Sequence, residues 1–192
     1  MAARGHEVSV VAGHPHYPEP RWGTSVIPYH EVRDGIGILR LPLWSGRGTT
    51  AARLRQELSF TTALASSLAF LGTPDVVVAV SPCFPALAPT MLNARLRRTP
   101  WVLWLQDILP DGAAVTGILD EGTVLRLARR LERTAYNSAA RIVVVSDSFA
   151  ENLRAKGVPD AKITRIYNPA TRQLDPSGPK SGLSRRPTNT PF

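Results

Sequence analysis

The chain has 192 residues, the length of one ordinary domain. Hydrophobic residues make up 43% and charged residues 20%, which suits a compact core and excludes wholesale disorder. The single cysteine, Cys83, excludes an intrachain disulfide framework and any CxxC-type zinc or redox site. The net charge is +8, with arginine dominating: only Lys156, Lys162 and Lys180 are lysines. Such an excess suits phosphates or an anionic membrane without choosing between them.

Strand-like and helix-like patterns alternate along the chain. Val8 to Ala12 is a short β-branched run, followed by a loop from Gly13 to Pro20. Ile36 to Leu41 is a second strand candidate, ended by Pro42. Thr50 to Leu71 reads as a helix, with Leu54, Leu58, Thr61, Ala65 and Leu68 spaced by three and four. Asp75 to Val80 has the apolar continuity of a strand buried in a parallel sheet. Pro85 to Arg98 is helical, with Arg95, Arg97 and Arg98 at the negative end of its dipole.

Trp101 to Leu105 is another buried strand, Gly122 to Ser138 a strongly patterned helix, and Arg141 to Val145 a strand. Ser148 and Glu151 form a Ser-x-x-Glu capping box that opens a helix ending near Gly157, and Ile163 to Tyr167 is a last strand. This rhythm predicts an α/β fold, a Rossmann-like doubly wound parallel sheet with helices on both faces. From Thr171 to Phe192, Pro, Ser, Thr, Gly and Asn dominate and apolar residues nearly vanish, the composition of a disordered tail. The expected division is therefore a domain over 1–170 and a tail over 171–192.

Membrane and leader signals are weak. Met1 to Glu7 contains no apolar run, so it does not read as a secretory signal. Leu58 to Pro74 is uncharged but short of a spanning length and diluted by Ser and Thr. Pro82, Pro85 and Pro89 break the next uncharged stretch. The default is a cytoplasmic protein, with peripheral contact to a membrane surface left open.

Ligands of open parallel sheets gather where the strands end. Gln106 and Asp107 follow the strand Trp101 to Leu105, and a carboxylate there can accept a hydrogen bond from a sugar hydroxyl or orient an acceptor nucleophile. Alternatively, Asp107 caps a turn before Pro110. Ser81 follows another buried strand, and its hydroxyl or nearby N–H groups could meet a ligand. Cys83 reads as a buried structural thiol, because no histidine or acid adjoins it. His14-Pro15-His16 supplies two histidines, too few for a metal site. No GxGxxG, P-loop, HExxH or GxSxG pattern occurs. On the helix from Gly122 to Ser138, Arg126, Arg129, Arg130 and Arg133 form a basic stripe over an apolar underside. A solvated face is the usual reading of such a stripe and attraction to anionic lipid the sharper one, while no nucleic-acid-binding signature accompanies the charge.

Four motifs in order carry a resemblance. Arg4-Gly5-His6-Glu7-Val8-Ser9-Val10-Val11, with Gly13-x-Pro15-x-Tyr17-Pro18 after it, resembles the entry to the second strand in family 4 glycosyltransferases of the GT-B fold. Trp104-Leu105-Gln106-Asp107-Ile108-Leu109-Pro110-Asp111 is similar to a segment of the subgroup related to colanic-acid and O-antigen enzymes. Val143 to Phe149, Gly157-Val158-Pro159, Lys162-Ile163 and Tyr167-Asn168-Pro169 resemble the run that closes the family's amino-terminal domain.

The resemblance implies the acceptor-side domain of a two-domain enzyme that transfers sugar from a nucleotide-sugar donor with retention of configuration. It implies no cofactor and no catalytic metal. The acceptor would be a glycan, often lipid-linked, at the cytoplasmic face of the plasma membrane, in cell-surface polysaccharide synthesis. By position, Asp107 takes the catalytic place, Gln106, Ser81 and Tyr17 the acceptor side, and Ser146 and Asn168 the interdomain, donor-facing side. The family's first strand with its glycine-rich loop, and its second domain, have no counterpart in these residues. A fragment inactive alone, with a gap in its sheet, is therefore expected. The alternatives are a non-catalytic subunit that docks a separate donor-binding protein and, least favoured, a basic nucleic-acid binder.

Overall fold

The computed structural model describes residues 1–15, 27–44, 49–81, 83–107 and 122–168. The strands are β1 (Ser9–Gly13), β2 (Tyr29–Arg33), β3 (Ile36–Leu41), β4 (Val77–Val80), β5 (Trp101–Leu105), β6 (Arg141–Val144) and β7 (Ile163–Arg165). The helices are α1 (Thr50–Leu68), α2 (Leu87–Arg97), α3 (Thr123–Ser138) and α4 (Asp147–Ala155). Among the described residues the strands form two sheets, ordered β1-β3-β2 and β4-β5-β6-β7. The larger sheet is parallel throughout, so the α/β, Rossmann-like reading holds.

The larger sheet steps in one direction, and each step is a strand–helix–strand crossover. Right-handed crossovers that all advance the same way lay their helices on one face. Burial agrees. Trp101, Leu103 and Leu105 of β5 and Ile142 and Val144 of β6 are buried with Leu87 and Ala94 of α2, Ala135 and Tyr136 of α3, and Ala150 and Leu153 of α4. Each buried Leu, Ile or Val among them contributes about 1.5–3 kcal/mol relative to exposure, so this layer dominates the domain's stability. The opposite face carries Val78 and Val80, 42% and 55% exposed, beside the partly buried Val102, Trp104 and Val143. The described helices that follow β4, β5 and β6 thus cover one face of this sheet and leave the other open.

The smaller sheet joins through α1. Val11, Leu39 and Leu41 share one face by register and pack with Phe60 and Leu64 of α1 and with Cys83 and Ala86 of the turn after β4. On the reverse face Arg40 makes an ion pair of 2.7 Å with Glu31 and donates to the Gly13 carbonyl at 3.3 Å. β1 and β4 each keep one edge unpaired among the described residues.

Several expectations are corrected. β2, absent from the sequence reading, pairs antiparallel with β3. Asp34 and Gly35 between them have φ of 52° and 75°, the backbone of a tight primed hairpin turn for which Asp-Gly is suited. The first helix ends at Leu68 rather than Leu71, and Arg97 donates to the freed Leu68 carbonyl at 3.0 Å. The helix expected over Pro85 to Arg98 is Leu87–Arg97, closed by Arg98 in the left-handed region. The expected capping box does not form: the N-cap of α4 is Ser146, whose Oγ accepts from the Phe149 N–H at 3.3 Å, while Ser148 Oγ sits 2.9 Å from Ser146 Oγ. The last strand ends at Arg165, not Tyr167. The tail over 171–192 lies outside the described residues.

Candidate functional site

At the carboxyl rim of the larger sheet, β4, β5 and β7 end close together. Ser81 follows β4 and is 2% exposed. Its N–H donates to the Trp104 carbonyl at 3.0 Å, extending the β4–β5 ladder by one rung. Its hydroxyl donates to the Asp107 carbonyl at 3.1 Å. A small buried hydroxyl thus fixes the chain where it leaves β5, and the backbone is held just where two polar side chains emerge.

Those side chains take different roles. Gln106 Nε2 donates to Asn168 Oδ1 at 3.3 Å, and Asn168 Nδ2 donates back to Gln106 Oε1 at 3.0 Å. The reciprocal amide pair spans the end of β6, which lies between β5 and β7. Each amide uses one of its two N–H donors and one of its two oxygen lone pairs, so both kinds of group stay available for hydroxyls. Asp107 is exposed, and its carboxylate has no hydrogen bond or ion pair among the described residues. The rim therefore presents one exposed carboxylate, at Asp107, and a two-amide surface that starts from the residue before it.

The end of β7 is braced by residues the sequence reading missed. Asp147, in the first turn of α4, pairs through Oδ1 with Arg165, while its Oδ2 accepts from Tyr167 Oη at 3.1 Å. The Arg165 guanidinium lies 5.2 Å from the centre of the Tyr167 ring. Asn168 follows directly on this brace. Asp147 stands beside Ser146 in sequence, but nothing in the motif marks Arg165 or Tyr167 as its partners.

Of the six residues singled out from sequence, Ser81, Gln106, Asp107 and Asn168 are brought together. Ser146 sits just past the end of β6 as a helix cap, its hydroxyl engaged with the Phe149 N–H and the Ser148 hydroxyl rather than hydrogen-bonded to the amide pair. Tyr17 lies outside the described residues, as does His16. His14 is at the end of β1 in the other sheet, 5% exposed, with its ring 5.1 Å from Tyr29. Among the described residues no three His, Cys, Asp or Glu side chains group as metal ligands. Cys83 lies under α1, where burial, with Glu57 nearby as the second cause, pushes its thiol up to about 11. That is the signature of an inert thiol rather than a nucleophile.

Comparison with known proteins extends this geometry. A protein of Escherichia coli (strain K12), WcaI, whose name assigns it to glycosyl transfer in colanic acid biosynthesis, is 28% identical over 168 residues. The match takes in 82% of this chain and 41% of that protein, so the chain spans about two-fifths of its relative. The family model for the glycosyl transferase 4-like domain matches residues 1–169, which includes the whole rim just described. The chain belongs to the glycosyl transferase 4-like domain family.

Proposed function

We propose that this chain is the acceptor-side part of an enzyme that transfers a sugar from a nucleotide-sugar donor to a glycan acceptor in cell-surface polysaccharide synthesis. The observation that carries the reading is the exposed Asp107 carboxylate, next in sequence to Gln106 of the Gln106–Asn168 amide pair, within the family match. In this reading Asp107 receives the hydrogen bond of the attacking acceptor hydroxyl and orients it. General-base assistance of this kind needs an acceptor within about 3 Å of the proton it takes. Gln106 and Tyr17 contact neighbouring hydroxyls, and Ser81 sets the Asp107 backbone. Asn168 and Ser146 face the donor side. Transfer proceeds with retention of anomeric configuration, without cofactor or metal, on a lipid-linked acceptor at the cytoplasmic face of an anionic membrane. Alone, the chain binds acceptor but does not turn over.

Saturation-transfer NMR with short oligosaccharides and with nucleotide sugars tests the assignment. The expected result is transfer to oligosaccharide protons, lost in Asp107→Ala and weakened in Gln106→Ala. Transfer to the nucleotide sugar alone would overturn the acceptor-side reading. A second reading, a non-catalytic subunit that docks a separate donor-binding protein, is favoured by the uncovered Val78 and Val80 face. Protection of that face on mixing with such a protein would support it.

A further inference from the structure

Past β7 the chain continues without a ladder to hold it. Among the described residues the last backbone hydrogen bond on this edge runs from the Ile166 N–H to the Val144 carbonyl, at 2.9 Å. Beyond it no backbone group of Tyr167 or Asn168 is hydrogen-bonded among the described residues. Asn168 nevertheless holds its reciprocal pair with Gln106. The hydrogen bonds that fix this exit are therefore made by side chains, and those of Arg165 and Tyr167 converge on Asp147.

The register explains the convergence. Val144 pairs with Arg165, and just after Val144 the chain turns over into α4, with Asp147 in its first turn. A carboxylate is favoured there by the helix dipole. Residues two apart on a strand share a face, so Arg165 lies on the side of Ile163, which packs against the helix-covered core. Tyr167 keeps to the same alternation: its Oη reaches Asp147 Oδ2 at 3.1 Å, while Arg165 pairs with Oδ1. The guanidinium, 5.2 Å from the centre of the Tyr167 ring, closes a triangle of three groups. Asn168, one residue on, leaves that face and reaches Gln106 instead.

Stability does not account for the triangle. The Arg165 and Asp147 side chains are 47% and 61% exposed, and Tyr167 is 58% exposed. Ion pairs this open to water contribute little and order two side chains in return. What three groups bonded to one another do supply is a fixed direction for the residue that follows them. We propose that Asp147 is a positioning residue for the rim. Acting through Arg165 and Tyr167, it sets Asn168 where its amide locks that of Gln106. The remaining N–H and oxygen of each amide then meet sugar hydroxyls in one arrangement. The inference rests on the acceptor-side reading for the ligand but not for the placement of the amides, so the two can fail separately.

Side-chain amide NMR on the isotope-labelled full chain tests it, beside saturation transfer with short oligosaccharides and a thermal melt. The parent is expected to show nuclear Overhauser cross-peaks between the Gln106 and Asn168 side-chain amides. In Asp147→Ala these should vanish and oligosaccharide affinity should fall about fivefold, the worth of one hydrogen bond. The melting temperature should move by no more than about 3 °C, as befits an exposed pair. Asp147→Asn keeps an acceptor for the Tyr167 hydroxyl and should restore the cross-peaks and most of the affinity. Asp160→Ala breaks the comparably exposed Arg154–Asp160 pair, 2.8 Å, at the other end of α4, and should change neither. Cross-peaks absent from the parent, or retained in Asp147→Ala, overturn the proposal. So does their loss in Asp160→Ala, or a failure of Asp147→Asn to restore them. Lost cross-peaks with unchanged affinity, or with a much lower melting temperature, reduce Asp147 to a structural brace and overturn it too. A parent that binds no oligosaccharide sinks the acceptor-side reading instead, and the cross-peaks then still decide what Asp147 positions.

Discussion

The chemistry of the rim rests on Ser81, whose hydroxyl reaches the Asp107 carbonyl from inside the fold. Replacing it with alanine removes the donor to a partly buried carbonyl, at a cost of about 0.5–1.5 kcal/mol. A Ser81→Ala variant should therefore melt measurably lower and also weaken oligosaccharide binding, because the Asp107 backbone loses its anchor. Loss of stability with full binding would limit Ser81 to a packing role. Cys83 presents the opposite case, a residue whose environment suppresses its chemistry. With its thiol pushed up to about 11, roughly one molecule in a thousand carries thiolate at pH 8. Iodoacetamide should label Cys83 slowly at that pH and rapidly once urea unfolds the chain; fast labelling of the native protein would contradict its burial under α1. The rim was partly legible in the sequence. Ser81, Gln106 and Asp107 stand directly after buried apolar runs, and open parallel sheets bind ligands at such places. The partnership of Gln106 with Asn168 was not legible, since the two are 62 positions apart and meet only because β7 pairs with β6. The same holds for Asp147 with Arg165 and Tyr167.

At the scale of elements, two side chains make stability depend on charge. Burial raises the Glu57 carboxyl above its ordinary value, with Arg53 pulling the other way. The folded chain therefore holds this proton more tightly than the unfolded chain does. The group's favourable contribution is complete in acid, below the unfolded value, and fades as pH rises through the raised folded value. Compared with the parent, Glu57→Gln should raise the urea midpoint at pH 8 and leave it unchanged near pH 3, so the gap between variant and parent opens with pH. A constant gap would assign the effect to packing. The second is Glu132, buried between Lys156 and Tyr136, which ties α3 to the end of α4. Lys156→Met strands that carboxylate and should cost about 3 kcal/mol, while Glu132→Gln/Lys156→Met should recover much of it, because the uncompensated buried charge is gone. Element types were legible wherever apolar periodicity was strong, as in β5 and α3. β2 was missed because its residues Tyr29–Arg33 are mostly polar, as befits an edge strand, although the Asp34-Gly35 turn was a usable hairpin signal. The cap of α4 was misplaced because Ser146 and Ser148 both fit a capping pattern, and only the extended backbone at Ser146 selects it.

For the molecule as a whole, the uneven coverage of the larger sheet has a physical consequence. Parallel sheets occur almost only with both faces buried, and their central strands are apolar throughout for that reason. Here the run Val76 to Val80 has that composition, yet Val76, Val78 and Val80 are exposed. Register carries the patch across the sheet from Val80 to Trp104 to Val143. The Trp104 Nε1 on this face is itself buried without a hydrogen-bond partner among the described residues. The edge of β4, unpaired among the described residues, adds free backbone groups beside the same valines, a combination that invites pairing between chains. The isolated chain should therefore bind an apolar dye such as ANS and self-associate as concentration rises. Val78→Thr/Val80→Thr should reduce both, because threonine keeps the β-branched shape while removing apolar surface. The melting point should change little, since these side chains contribute little burial in the isolated chain. Sedimentation velocity across a concentration series decides the matter: if the parent stays monomeric and dark to ANS, this face is already covered.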